Sequence, residues 1–164
     1  MRKRGFWLGA MAAALVLTGC ATTAEQAAAP AYYVMRHLEK GEGSDPALSA
    51  TGSANAQRLA GWFDGRAKPQ AIYVSTTRRA RETAAPLAAK LGLTAKEYNP
   101  ADTPALVARV RAEAGSVLVV GHSNTVPDIV AGLGGTRPGP LAETDFGSVW
   151  VVTAGSGATE RLGL

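Results

Sequence analysis

The chain contains only two histidines, and an apolar run ends in each of them. Tyr32-Tyr33-Val34-Met35 leads into Arg36-His37, and Val117-Leu118-Val119-Val120 leads through Gly121 into His122-Ser123-Asn124. A third apolar run, Ala71-Ile72-Tyr73-Val74, is followed closely by Arg78 and Arg79. Buried strands that deliver charged side chains to their C-terminal ends are how open α/β sheets present chemistry. Such a group suits a tetrahedral dianion. Arginine offers fork-shaped, permanently charged donors that match phosphate oxygens, and histidine can act as nucleophile or donor. Gly121 lets the backbone approach closely, and Ser123 and Asn124 begin a helix whose free amides also favour an anion.

The elements that must position these residues follow from the pattern around them. The first strand is expected over Ala31–Met35, then a loop rich in Gly, Glu and Asp to Leu48. Ser49 or Thr51 caps a helix to about Asp64, with Ala56, Leu59, Ala60, Trp62 and Phe63 on one broad face. After the strand at Ala71–Val74, a helix runs from Ala80 to Leu91 and Gly92 stands where a C-cap would. Leu93–Tyr98 is a plausible third strand. Thr103 caps a helix to about Ala114, with Pro104 in its first turn. Val117–Val120 is the most apolar strand, hence central and covered on both faces. Thr125-Val126-Pro127 opens the next helix, Gly132 to Pro140 is a loop, and Ser148–Thr153 is a last strand with a short return through Gly155-Ser156-Gly157 to Leu162. Strands alternate with helices throughout. The fold class is α/β, a three-layer α/β/α sandwich on a mostly parallel central sheet.

At 164 residues the chain is one domain, 31–164, behind a distinct front end. Arg2, Lys3 and Arg4 precede an apolar run, Phe6 to Leu17, too short for a comfortable membrane span. The run closes on Leu17-Thr18-Gly19-Cys20, which resembles a bacterial lipobox. The resemblance implies that residues 1–19 are a signal peptide and that Cys20, the sole cysteine, carries a lipid. Residues 20–30 then form a flexible tether to a membrane. Ala21 lacks the aspartate that resembles an inner-membrane retention signal, which leans towards the outer membrane, with the domain facing the periplasm. The formal charge of +4 falls to near +1 without the leader, so no nucleic-acid partner is inferred from it.

With these residues in place a family resemblance becomes specific. Arg36-His37-Leu38-Glu39 resembles the Arg-His-x-Glu motif of the histidine phosphatase superfamily, the phosphoglycerate-mutase-like proteins. Ser75-Thr76-Thr77-Arg78-Arg79-Ala80-Arg81-Glu82-Thr83-Ala84 is similar to that family's Ser-x-x-x-Arg-Ala-x-x-Thr-Ala segment, which selects Arg79 over Arg78 and Arg81. Gly121-His122-Ser123-Asn124 resembles its second-histidine motif. The resemblance implies a phosphoglycerate-mutase-like fold and a phosphatase that needs no metal or other cofactor. His37 attacks phosphorus, and Arg36, Arg79 and His122, with Ser123 and Asn124 beside them, hold the phosphoryl group. His37 must be neutral to attack, and the flanking Arg36 and Arg79 disfavour its protonated form, so activity is expected to survive into mildly acidic pH.

The general acid for the leaving group is the gap. Many relatives place a glutamate in a longer segment after the third strand; here that segment is only Tyr98-Asn99-Pro100-Ala101-Asp102-Thr103. Asp102 is nearest in position, although it also suits a turn before the helix. Glu39 lies in the first motif, where relatives carry a supporting residue, and Glu42, Asp45 and Asp128 are further candidates. The short segment resembles the small phosphohistidine-phosphatase-like branch and argues against mutase activity, which needs a lid. The expected function is hydrolysis of a phosphomonoester or phosphoramidate on a phosphorylated small molecule or a phosphohistidine protein. The alternative is a non-catalytic envelope lipoprotein that binds phosphate or a phosphorylated ligand in the same pocket.

Overall fold

A computed structural model describes residues 29–164; the signal segment, Cys20 and most of the tether lie outside the described residues. In chain order the elements are β1 (Ala31–Arg36), α1 (Ala50–Trp62), β2 (Ala71–Ser75), α2 (Arg78–Leu91), β3 (Lys96–Tyr98), α3 (Thr103–Arg111), β4 (Val117–Gly121), α4 (Val126–Gly132), β5 (Ser148–Thr153) and β6 (Thr159–Gly163). The sheet order is β3-β2-β4-β1-β5-β6. The first four strands in that order run parallel, and β5 and β6 add an antiparallel edge.

Side chains alternate across the strands and sort the core into two halves. On one face Tyr33, Met35, Ile72, Val74, Leu118 and Val120 pack with Leu59, Phe63, Ala84 and Leu87 of the first two helices and their ends. On the other, Val34, Tyr73, Val117, Val119 and Trp150 pack with Leu106, Val110, Ile129 and Val130 of α3 and α4. The result is the three-layer sandwich. Val117–Gly121 is buried along its whole length, as expected of a strand covered on both faces. Each buried valine there contributes roughly 1.5–3 kcal/mol of apolar burial.

Several local boundaries differ from the sequence expectation. Ser49 is the cap of α1, its hydroxyl accepting from the Gly52 amide at 3.1 Å. The second helix begins two residues early, at Arg78, so Arg79 lies in its first turn. The third strand shortens to Lys96–Tyr98 because Leu93 is still engaged in the end of α2: its amide donates to the Ala88 carbonyl around left-handed Gly92. Asp102, not Thr103, caps α3. The helix after His122 starts at Val126, leaving Ser123 and Asn124 in the preceding turn.

The parallel strands place their C-terminal ends at one edge. Arg36 pairs in register with Gly121, and the ladder continues one residue further as the His37 amide donates to the Gly121 carbonyl at 2.9 Å. That register sets the two histidines side by side.

Candidate active site

The His37 and His122 rings lie 5.4 Å apart, centroid to centroid, at the floor of a cleft of about 530 Å³. Arg36, Lys40, Thr77, Arg79, Ser123, Asn124 and Glu143 line it as well. His37 is buried at 3% exposure. Its Nδ1 stands 2.8 Å from the Leu38 carbonyl, an acceptor only, so Nδ1 carries the proton and donates. Nε2 is left with the lone pair.

Two groups fix the backbone behind that ring. Thr83 is fully buried; its hydroxyl accepts from the Leu38 amide at 3.0 Å and donates to the Arg79 carbonyl at 2.8 Å. The threonine of the second motif thus ties α2 to the residue that orients His37. Gly52 permits the other contact. A Cβ there would stand 2.0 Å from the Glu39 carbonyl oxygen, so only glycine lets α1 come this close to the loop.

The second histidine is held from both ring nitrogens. Arg79 Nη2 donates to His122 Nδ1 at 3.5 Å, and the neutral ring donates from Nε2 to Ser75 Oγ at 2.8 Å. Ser75 Oγ is 3.1 Å from Thr77 Oγ1. Gly121 brings the chain close over Tyr98, Thr125 and Ile129, and the His122 amide donates to Thr125 Oγ1 at 3.0 Å.

Arg36 is 3% exposed and gripped by a strap ahead of β5. Its Nη1 donates to the carbonyls of Ala142 and Glu143, both at 3.0 Å, and Phe146 lies against its guanidinium at 4.3 Å. The Nε atoms of Arg36 and Arg79 are buried without a hydrogen-bond partner among the described residues. Two orphan cationic donors beside two histidines fit an anion with several oxygens.

The charges act on the imidazoles in a common direction. Burial, chiefly, lowers His37 to about 4; Arg79, His122 and Arg36 push the same way, against the hydrogen bond to Leu38. His122 is likewise lowered to about 4 by burial, then by Arg79 and Arg36. The arginines thus act as the sequence suggests, but burial is the larger cause. Both rings are neutral at neutral pH, and the positive charge of the cleft resides on arginine and lysine.

The candidate acids fall elsewhere. Asp102 Oδ1 accepts from the Ala105 amide at 3.0 Å and serves as a helix cap, outside the cleft lining. Glu39 turns its carboxylate to Asn55 Nδ2, at 2.9 and 3.1 Å, also outside the lining. Neither of these two candidate acids is thus brought into the cleft lining with His37. Asp45 accepts from the Arg78 amide and lies 3.6 Å from Arg79, and Asp128 pairs with Arg137. Glu42 is exposed and does not line the cleft. The strap, with Ala142, Glu143 and Phe146, was not foreseen from the sequence. Its only signal was a pair of acids and a phenylalanine between a loop and the last strand.

Residues 33–100 match the family model of the histidine phosphatase superfamily, branch 1. With the motifs and fold described above, that match supports the histidine phosphatase superfamily as the family this chain resembles. Among solved structures it is similar to the protein histidine phosphatase SixA complexed with tungstate, at 25% identity and TM-score 0.63, over 80% of this chain and 94% of that one. It is similar in fold to mycobacterial glucosyl-3-phosphoglycerate phosphatase complexed with VO3, at 18% identity and TM-score 0.64, over 82% and 98% of the two chains. A protein from Thermus thermophilus matches at 18% identity and TM-score 0.57, over 82% and 99%. No protein with a curated description matches. The likeness to SixA supports a resemblance to the phosphohistidine-phosphatase-like branch.

Proposed function

We propose that the protein is a phosphatase that hydrolyses a phosphomonoester or phosphoramidate through a phosphohistidine formed on His37. The observation that carries this reading is the tautomer: Leu38 holds the Nδ1 proton of a buried imidazole, so a neutral Nε2 lone pair faces a cleft lined by Arg36, Arg79 and His122. Attack by Nε2 moves charge onto the phosphoryl oxygens, and the two guanidinium groups meet it with preorganised donors. Nucleophile and charge stabilisation both come from protein side chains, so the chemistry calls for no metal or other cofactor.

The substrate is a phosphorylated small molecule or a phosphohistidine protein, and both classes find support in the similar phosphatases. We place the enzyme in the bacterial cell envelope, anchored by lipid on Cys20 and facing the periplasm, on the strength of Leu17-Thr18-Gly19-Cys20. Substituting Cys20→Ser is expected to release the protein from the membrane fraction; retention there would count against lipid anchoring.

The test of catalysis is hydrolysis of para-nitrophenyl phosphate in EDTA. The wild-type protein is expected to turn over and the His37→Ala protein to lose activity by a factor of at least about a thousand, as removal of a nucleophile does. Folded wild-type protein that binds phosphate but never turns over would instead point to a binding lipoprotein.

A further inference from the structure

Among the described residues, Glu143 is the only carboxylate that lines the cleft. From its position we propose that Glu143 is the proton donor to the leaving group, a role that rests on the phosphatase reading above. An in-line attack puts the leaving oxygen on the far side of phosphorus from His37. His37 lies at the buried floor with 3% exposure, whereas the Glu143 side chain stands at the mouth with 87% exposure. A line from the nucleophile through a bound phosphoryl group therefore runs outward, to the end of the cleft where Glu143 stands.

The carboxyl is also tethered at the right place. Glu143 Oε2 is 3.3 Å from Arg36 Nη2, and the Glu143 carbonyl accepts from Arg36 Nη1. The carboxyl thus sits beside a guanidinium of the cleft, the group that would hold the phosphoryl oxygens. The other carboxylates considered from the sequence, Asp102, Glu39, Glu42, Asp45 and Asp128, are not in the lining. To act as the donor the Glu143 carboxyl must hold a proton when the ester binds, and a monoanionic phosphate ester can bring that proton with it.

The steps balance. His37 Nε2 forms a bond to phosphorus as the phosphorus–oxygen ester bond breaks, and the Glu143 proton passes to the departing oxygen. Water then attacks the phosphohistidine and gives a proton to the Glu143 carboxylate. Phosphorus leaves Nε2, and neutral His37 and inorganic phosphate result.

The experiment compares Glu143→Gln with wild type on two aryl phosphates of similar shape, reading kcat/KM, which reports formation of the phosphohistidine. Para-nitrophenolate leaves without help. Phenol, close to the tyrosine side chain with a pKa of about 10, needs its proton. The substitution is expected to lower kcat/KM for phenyl phosphate about a hundredfold or more and to change that for para-nitrophenyl phosphate by less than about threefold. An equal loss on both substrates would make Glu143 a positioning group for Arg36 and overturn the proposal. Equal retention or a gain on both would overturn it too, leaving a carboxylate that merely competes with the substrate for Arg36. If the wild type fails on para-nitrophenyl phosphate as well, the phosphatase reading falls and the acid falls with it.

Discussion

His37 illustrates how little freedom the proposed nucleophile is given. Its ring is oriented by one carbonyl, its protonation is suppressed by burial and neighbouring cations, and its backbone is pinned by Thr83. With its pKa lowered to about 4, the imidazole is already neutral at pH 5, where an ordinary histidine would be mostly charged. Corrected for ionisation of the substrate, kcat/KM for para-nitrophenyl phosphate is expected to stay level from pH 7 to pH 5 and to decline towards pH 4. A decline centred near pH 6.5 in the same titration would mean that His37 is not so suppressed. Thr83 can be tested with the near-isosteric Thr83→Val. That change leaves the buried Leu38 amide without its acceptor and should cost about 1–3 kcal/mol in urea denaturation, with a drop in kcat as the Leu38 carbonyl loosens. Unchanged stability would mean that the amide finds another partner.

At the level of elements, the site is a product of register. Arg36 opposite Gly121 places His37 beside His122, and the close packing around Gly121 maintains that pairing. A Cβ on Gly121 would lie 2.9 Å from Thr125 Oγ1, 3.2 Å from Tyr98 Oη and 3.3 Å from Ile129 Cδ1. Gly121→Ala should therefore destabilise the fold by about 1–3 kcal/mol and shift the turn that holds His122, lowering turnover beyond what the stability loss explains. Equal turnover in folded protein would show that the turn can move without cost. This part of the molecule was legible in the sequence, because apolar runs that end in His37 and His122 carry both the strand signal and the chemistry. The strap around Arg36 was not. Ala142 and Glu143 act there through backbone carbonyls, which leave no mark in the side-chain pattern, and Phe146 meets Arg36 across more than a hundred residues of chain. Asp102 was ambiguous for a related reason: a carboxylate before a helix looks the same in sequence whether it caps or catalyses.

For the whole molecule, the neutral histidines on which the proposed attack depends also make folding depend on pH. In the unfolded chain both titrate near 6.5, and in the folded protein near 4. Between those values the unfolded state binds more protons, so stability rises with pH through that window and is level above it. Acidification from pH 6.5 towards 4 should thus cost on the order of a few kcal/mol, most of it from two side chains. The Leu48 amide and then Arg78 hold Glu82 below the usual carboxylate range, and Lys96 does the same for Glu113, but those groups lose their contribution only at lower pH and lie near enough to the surface to be worth little. The measurement is urea denaturation at pH 7 and pH 5 on wild type and on His37→Gln. Wild type should be clearly less stable at pH 5, and the substitution should remove about half of the difference, since His122 retains its own share. A bound dianion should oppose the effect, because an anion held in the cleft that both rings line would favour their charged forms. Inorganic phosphate is therefore expected to narrow the gap between the two pH values in wild type, and to do so less in His37→Gln. A gap of the same size in both proteins, untouched by phosphate, would place the acid sensitivity outside the cleft.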